Sequence, residues 1–279
     1  MYEIVFLFTL ALVWIVFAVV QDLRKREIAN WLNFSLIVFA LGFRFFYSLF
    51  SSDSFGFFYQ GLLGLIIFLL LGNLLYYGKV FAGGDAKLMI ALGTVLPFSE
   101  SFLANLEFFS VFFILFLFVG AAYSLLGSVV LSLNNFQNFR KEFSHQIRKN
   151  KKFVLPALLF AILLMAFGFL ESLFFFIGIL VFLLPYLYVY AKAVDESCMI
   201  KKVKTSELTE GDWLYKDVRV GRKTIKTSWD GLRKEEINLL KKKHEFVLIR
   251  QGIPFSPAFL ISFIVLIYFW KIGLWNSFW

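Results

Sequence analysis

The chain has 279 residues, of which 60% are hydrophobic, 20% are aromatic and only 17% are charged. Ordinary soluble domains contain about 25% charged residues, so a single water-soluble core does not account for this composition. Cysteine occurs once and histidine twice, which excludes a disulfide framework and a four-cysteine zinc site. The composition is that of a protein with several membrane helices, and the net charge of +9 requires a separate explanation.

Eight apolar segments are candidates for membrane helices, since about 20 apolar residues are needed to cross a hydrocarbon core about 30 Å thick. They are Ile4 to Val20, Trp31 to Phe50, Phe57 to Tyr77, Leu88 to Phe98, Phe108 to Leu133, Phe153 to Leu170, Leu173 to Ala191 and Ser256 to Trp275. The fourth is short and crosses only if it is tilted, lengthened by the loop after Pro97, or accompanied by local thinning of the bilayer. The first has neither a basic n-region nor a cleavage site, so we expect it to stay as a helix.

The distribution of charge predicts the orientation of these helices. Arg24, Lys25 and Arg26 follow the first segment, so the positive-inside rule places this loop in the cytoplasm and the N-terminus outside. With alternating crossings the C-terminus is also outside, and 26 of the 28 Lys and Arg but 14 of the 19 Asp and Glu lie inside. The inner side then carries +12 and the outer side −3. The positive charge is a topology signal, and no nucleic-acid partner is needed to explain it.

The chain divides into four predicted regions. They are a membrane core with the first five spans (1–133), a basic cytoplasmic loop with spans six and seven (134–191), a small cytoplasmic domain (192–255) and a last membrane helix (256–279). We therefore predict an all-α polytopic membrane protein of about eight transmembrane helices with a small cytoplasmic α+β insert before the last helix.

The insert differs in pattern from the rest of the chain. Short strands are predicted at Met199 to Lys204, Val218 to Val220, Thr224 to Thr227 and Phe246 to Arg250. Gly211 and Gly221 are turn residues, and Arg233 to His244 has the period of an amphipathic helix. The alternative interpretation is a solvated basic insert that aids topology and contacts lipid headgroups.

Two cytoplasmic carboxylates stand at the ends of apolar segments. Asp22 follows the first span, and Asp85 precedes the fourth. Each alone has an ordinary explanation, because Asp22 ends a helix among basic residues and Asp85 can cap the next helix. Gly83 and Gly84 directly precede Asp85. A cap does not require two glycines, whereas an extended peptide substrate brought against the backbone would benefit from them.

Two carboxylates at one membrane face suggest acid and base chemistry. Within a few ångströms of each other they cannot both ionise easily, so the pair shares a proton. The ionised member can then remove a proton from water while the protonated member polarises a peptide carbonyl. This chemistry needs no nucleophilic side chain, cofactor or metal, and none is predicted. His145 and His244 lack a partner for a triad and are expected to be structural, and Cys198 is expected to be a reduced thiol.

The residues around both carboxylates resemble the motifs of a known family. The first motif is Gln21-Asp22-Leu23-Arg24-Lys25-Arg26-Glu27-Ile28-Ala29-Asn30-Trp31-Leu32-Asn33, and the second is Ala82-Gly83-Gly84-Asp85-Ala86-Lys87. Both are similar to motifs of the archaeal prepilin and preflagellin peptidases, which are membrane aspartic proteases of the GxGD type. The resemblance implies that Asp22 and Asp85 are the catalytic pair, with support from Gly83, Gly84 and Lys87.

The match departs from the family pattern in two places. The first Gly of GxGD is Ala82 here, and the Pro usual before Asn in the first motif is Ala29. Toward the C-terminus, Leu208 to Leu214 and Gln251 to Phe255 resemble a region found in one archaeal branch of the family. Bacterial relatives carry an N-terminal methyltransferase domain with a cysteine tetrad, so the resemblance implies peptidase activity without N-methylation.

The resemblance also implies the partners. The expected substrates are type IV pilin-like precursors, pilins or archaeal flagellins, cut at the cytoplasmic membrane face between a short basic leader and the hydrophobic helix. Glu27 is a candidate contact for that leader. The other expected partner is the lipid bilayer.

Three other interpretations remain open. Proteases of the presenilin and signal-peptide-peptidase group also use GxGD together with a Pro-Ala-Leu motif, which occurs here at Pro156, but Gln21 stands where that group has Tyr. A transporter could use the two aspartates as a proton or cation relay, although both lie at one face and no inverted repeat is visible. An inactive assembly or anchoring protein is compatible with the changed first Gly.

Overall fold

A computed structural model of the chain describes residues 2–51, 55–99, 101–221 and 223–272. The predicted end of the eighth span at Trp275, and the outer carboxylates Asp53 and Glu100, lie outside these residues. The helices are α1 (Tyr2–Lys25), α2 (Asn30–Phe50), α3 (Gly56–Tyr77), α4 (Gly83–Leu92), α5 (Phe102–Asn134), α6 (Phe136–Lys149), α7 (Lys151–Phe167), α8 (Ser172–Cys198), α9 (Lys234–Lys243) and α10 (Ser256–Lys271).

Five of these helices are long and apolar enough to cross a membrane: α1, α2, α3, α5 and α8. A sixth span is obtained if α6 and α7, which meet at an angle of 78°, are taken together. Large apolar side chains point outward from these helices, and at most 33% of each apolar window is buried, as expected where lipid rather than water surrounds the protein. The protein is a multi-pass, mostly helical membrane protein.

The short helices account for the rest of the predicted spans. α4 has only 10 residues, and α10 has 16 described ones. Residues 136–149, assigned above to a connecting loop, form the helix α6, because Phe136, Phe139 and Phe143 recur at helical spacing among charged residues.

Two compact units make up the chain, residues 1–125 with 254–279 and residues 126–253. The first unit has a core rich in phenylalanine, in which Phe68, Phe112, Phe116, Phe259 and Phe263 have no exposed surface. This core is built from α1 to α5 and α10. Edge-to-face contacts between rings, such as Phe68 and Phe109 at 5.1 Å, fix their relative orientation.

An irregular segment continues α4 in the first unit. Arg44 of α2 is fully buried and donates hydrogen bonds to the carbonyl oxygens of Phe57, Thr94, Val95 and Pro97. The start of α2 is tied to the other end of α4 through Lys87 and Asn30. Residues 30 to 44 of a helix span about 20 Å. α4 and the residues after it therefore run for that distance along α2.

Glycines of α3 allow this close packing. A Cβ atom on Gly64 would lie 2.1 Å from the carbonyl oxygen of Gly93, and one on Gly72 would lie 2.7 Å from the side chain of Ile90. On Gly61 it would lie 2.5 Å from Arg44. Three positions on one helix thus need glycine so that α4 and Arg44 can reach their places.

The second unit contains the α+β region that was predicted from the strand pattern. Its strands are β1 (Ile200–Lys204), β2 (Trp213–Leu214), β3 (Val218–Val220), β4 (Lys223–Ile225) and β5 (Phe246–Arg250). β1, β5 and β2 form an antiparallel sheet in that order, and β3 pairs with β4. Gly211 and Gly221 both have positive φ, as turn residues do. Ile237 and Leu240 of α9 are buried in the small core of this region.

Candidate active site

Asp22 lies in the last turns of α1 and is buried, with 8% of its surface exposed. The helix ends three residues later, at Lys25. Arg26 has a φ of 58° and donates its N–H to the carbonyl oxygen of Asp22 at 2.9 Å, which is the left-handed ending common at helix C-termini. The chain therefore turns back directly beneath the carboxylate and enters α2 at Asn30.

Asp85 lies in the first turn of α4 and is half-buried. It precedes Leu88, where the fourth predicted span begins. Ala82 is the N-cap residue of this helix, and its carbonyl oxygen accepts the N–H of Ala86 at 3.1 Å. The carboxylate is thus presented at the positive end of a short helix.

The structure brings the two motifs together. A Cβ atom on Gly84 would lie 3.3 Å from Ile28, so the start of α4 packs against the loop that follows Asp22. Lys87 donates from Nζ to Asn30 Oδ1 at 2.6 Å, which ties the same two segments. Burial and, after it, the negative charge of Asp22 raise the pKa of Asp85 from its ordinary value to about 7. At neutral pH one carboxyl of the pair therefore holds a proton for much of the time.

The two departures from the family motifs fit the backbone. Ala82 has φ −70° and ψ 160°, a conformation open to any residue, so this position does not need glycine. Ala29 has a φ of −63°, which is the value that proline would fix. Its N–H, which proline lacks, donates to Gln21 Oε1 at 3.0 Å and ties the loop to α1.

A third element reaches this site from the far end of the chain. Ser256, the first residue of α10, is fully buried and donates its backbone N–H to Asp22 Oδ2 at 3.2 Å. The neighbouring Phe255 packs against Phe81, in the loop before Asp85. The one sequence signal for this element is the C-terminal run that ends at Phe255, for which the sequence predicts no role.

The other candidate residues are placed as follows. Glu27 is exposed in the loop between α1 and α2. His145, His244 and Cys198 belong to the second compact unit, and His244 Nε2 lies 3.1 Å from the carbonyl oxygen of Arg219. Pro156 is inside α7. Among the residues that the structure describes, no three His, Cys, Asp or Glu form a group able to hold a metal ion.

Two neighbouring carboxyls lie at the ends of helices in this membrane bundle, and one of them keeps a proton near neutral pH. They are the groups required for general acid and base catalysis on a polar bond. The class of protein that this fold and site define is a polytopic membrane protein with a paired-aspartate site.

Comparison with known proteins identifies the region that carries this site. Residues 9–127 match the model of the type IV leader peptidase family. They include both aspartates and the helices α2 to α4. The preflagellin peptidase of Methanocaldococcus jannaschii is 30% identical over 90 residues, which cover 32% of this chain and 38% of that protein. No solved structure matches the chain.

Proposed function

We propose that this protein is a membrane aspartic endopeptidase that removes the short basic leader of type IV pilin-like precursors, pilins or archaeal flagellins, at the cytoplasmic membrane face. The observation that carries the proposal is the meeting of the two motifs, which brings Asp85 within range of the charge on Asp22. Two comparisons support the choice of substrate: the match of residues 9–127 to the type IV leader peptidase family and the similarity to a protein named preflagellin peptidase.

The chemistry follows from the different surroundings of the two carboxyls. Asp22 accepts an N–H and acts as the ionised base, which takes a proton from a water molecule. Asp85 acts as the protonated member and donates a hydrogen bond to the carbonyl oxygen of the scissile peptide. The water oxygen bonds to the carbonyl carbon. The C–N bond then breaks, and the proton goes to the leaving amine.

The proposed orientation places both aspartates where a leader meets its hydrophobic helix, with both chain termini outside. Cys198, the single cysteine, is then on the cytoplasmic side. A membrane-impermeant maleimide should label it in inside-out vesicles and leave it unlabelled in right-side-out vesicles. Labelling only in right-side-out vesicles would contradict the orientation.

Local attraction must bind a basic leader, because the proposed inner side of the protein carries +12. Exposed charges separated by more than about 8 Å are largely screened at physiological salt. Glu27, an exposed residue of the first motif, is the proposed leader contact. We expect Glu27→Gln to raise KM for basic leaders and to leave KM for a neutral leader unchanged, and an equal rise for both would contradict this role.

The direct test uses purified protein in detergent and a precursor with a basic leader, followed by mass analysis of the products. We expect one cut between the leader and the hydrophobic helix, and loss of the cut in Asp22→Asn and in Asp85→Asn. Asp230→Asn, at an exposed position of the second unit, is the matched control and should keep the activity.

Cleavage that survives either aspartate substitution would overturn the mechanism. Absence of cleavage by the unmodified protein, together with proton or cation flux that depends on the aspartates in reconstituted vesicles, would favour a transporter instead.

A further inference from the structure

The start of α10 touches both segments that carry the aspartates. Phe255 and Ser256 are adjacent in sequence, yet one contacts the loop before Asp85 and the other contacts Asp22 itself. Both belong to the same compact unit as the aspartates. Both also lie outside residues 9–127, the part of the chain that matches the family. The contact with Asp22 joins residues 234 positions apart in the chain.

Ser256 reaches Asp22 through its backbone. Its N–H is a buried donor, and the Oδ2 atom of Asp22 is its acceptor at 3.2 Å. A hydrogen bond to a carboxylate in a buried place is stronger than one between neutral groups, and the N-terminal end of a helix favours negative charge. The Ser256 hydroxyl has no partner and no exposed surface. The main chain at this residue, rather than the side chain, therefore makes the contact.

Phe255 reaches the other segment through its ring. The ring centroid lies 6.0 Å from that of Phe81 and 5.5 Å from that of Phe116. Phe81 is buried and directly precedes Ala82, the N-cap residue of α4. Gly120 of α5 makes room for the ring, because a Cβ atom there would lie 2.6 Å from Phe255 Cζ. Movement of the Phe255 ring would therefore displace the loop before Asp85.

We propose that Phe255 and Ser256 are positioning residues that hold the two aspartates in register, Ser256 by fixing the Asp22 carboxylate and Phe255 by fixing the loop before Asp85. The inference rests on the proposed peptidase function. It gives α10 a part in the reaction without contact to the substrate, so disturbing these residues should lower kcat and leave KM nearly unchanged.

The first experiment removes the N–H of Ser256. Ser256→Pro places proline at a helix position that accepts it and deletes the donor. Because Phe255 has an αR conformation that is disfavoured before proline, the change also strains the backbone of Phe255, the other proposed positioning residue. We expect kcat to fall between about 10- and 100-fold, the value of a hydrogen bond to a charged group, with KM within about twofold of the unmodified protein. Ser256→Ala keeps the N–H and should retain at least about tenfold more activity than Ser256→Pro.

The control for proline at the first residue of a helix is Lys234→Pro, in α9. That residue is exposed, and the preceding Arg233 has an extended conformation that proline accepts. We expect kcat and KM to stay as in the unmodified protein.

The second experiment displaces the Phe255 ring without changing either aspartate. It tests the positioning role even if Ser256→Pro does not fold. Gly120→Ala should push the ring and lower kcat about tenfold, since overpacking forces side chains and backbone to shift. Adding Phe255→Leu, which shortens the side chain at the clash, should restore most of the loss. Gly42→Ala, in open space on α2, is the control and should leave kcat unchanged.

The outcomes separate this inference from the proposed function. A folded Ser256→Pro with the kcat of the unmodified protein, or a Gly120→Ala defect that appears in stability alone and is not rescued by Phe255→Leu, would overturn the inference while the aspartate variants remain inactive. A fall in kcat at unchanged KM, with rescue by the double variant, would support it. If the unmodified protein cuts no precursor, the proposed function fails first.

Discussion

The segment formed by α4 and residues 93–99 has charged groups in very different surroundings at its two ends. At the end remote from Asp85, Arg44 donates to four backbone carbonyl oxygens and its guanidinium lies 4.3 Å from the centre of the Phe57 ring. Asn105 holds the same end by accepting the N–H groups of Phe98 and Ser99. At the other end, the Asp22 carboxylate accepts an N–H from Ser256, and Asp85 stands near a charge of the same sign.

This difference separates a structural charge from a reactive one. A buried guanidinium surrounded by carbonyl oxygens stabilises one arrangement of the chain. In any other arrangement a donor and its acceptor are left buried without a partner, which costs the free energy of desolvating both groups. Two neighbouring carboxyls give up stability, since their like charges repel, and in return they retain a proton that can move. Substitutions at the two ends should therefore affect different properties.

The largest expected effect is on activity at the aspartate end. Asp85→Asn should lower the rate of cleavage more than about 1000-fold, because an amide N–H is a much weaker acid than a carboxyl and stabilises the developing negative charge on the carbonyl oxygen less. Its stability should not fall. The pKa of Asp85 is raised to about 7, so folded protein holds a proton that the unfolded chain releases, and the unmodified protein loses stability as pH rises from about 4 to about 7.

Thermal unfolding in detergent checks this sign. The Asn variant should be at least as stable as the unmodified protein at pH 8, and a lower Tm there would show that Asp85 is a structural residue.

The next effect is on stability at the arginine end. Arg44→Met should destabilise the fold by about 3 kcal/mol or more, because four carbonyl oxygens lose their charged donor. The molecules that remain folded should still cleave. Arg140→Met, at an exposed position of α6, is the matched control and should leave the Tm unchanged. A stable but inactive Arg44→Met protein would contradict a purely structural role for Arg44.

The third prediction concerns pH. Since Asp85 is the protonated partner and its pKa is about 7, the rate should fall about tenfold for each pH unit above that value. A rate measurement between pH 6 and pH 9, with Tm recorded at each pH, tests this. A rate that stays constant up to pH 9 would assign the proton to another group.

A smaller effect is expected where glycine makes room for Arg44. Gly61→Ala would place a Cβ atom 2.5 Å from Arg44 Cδ, so we expect a loss of stability of about 1 to 3 kcal/mol. Gly42→Ala meets no atom within 4 Å and should be neutral or slightly stabilising. Equal Tm values for the two variants would mean that Arg44 can move aside without cost.

The smallest effect is expected at Lys87. Its ammonium group is exposed and bonds Asn30 Oδ1, and an exposed polar contact contributes about 1 kcal/mol or less. Lys87→Gln should therefore lower the cleavage rate only a few-fold. A loss of more than about 100-fold, which corresponds to about 2.7 kcal/mol, would show that Lys87 takes part in the chemistry rather than in holding the two motifs together.

The candidate pair could be found from the sequence because its signals are local. Asp22 and Asp85 stand at the ends of apolar segments, and the charge of the loops puts those ends on the same side. Arg44 was counted only as one of two positive charges on the outer side, since its four acceptors are main-chain atoms that any residue provides. Ser256 could not be found for the same reason. A backbone N–H has no signature in sequence, and its acceptor is 234 residues away.

The sequence by itself determined the class of the protein, the strands and helix of the α+β region and the two motifs, because the length of an apolar run, its period and its flanking charges are properties of short stretches. Only the tertiary structure decided how those motifs meet. That meeting depends on Gly64 and Gly93 letting two backbones approach and on Arg44 holding the end of a helix too short to cross alone. Close packing is a property of facing surfaces, which no single segment contains.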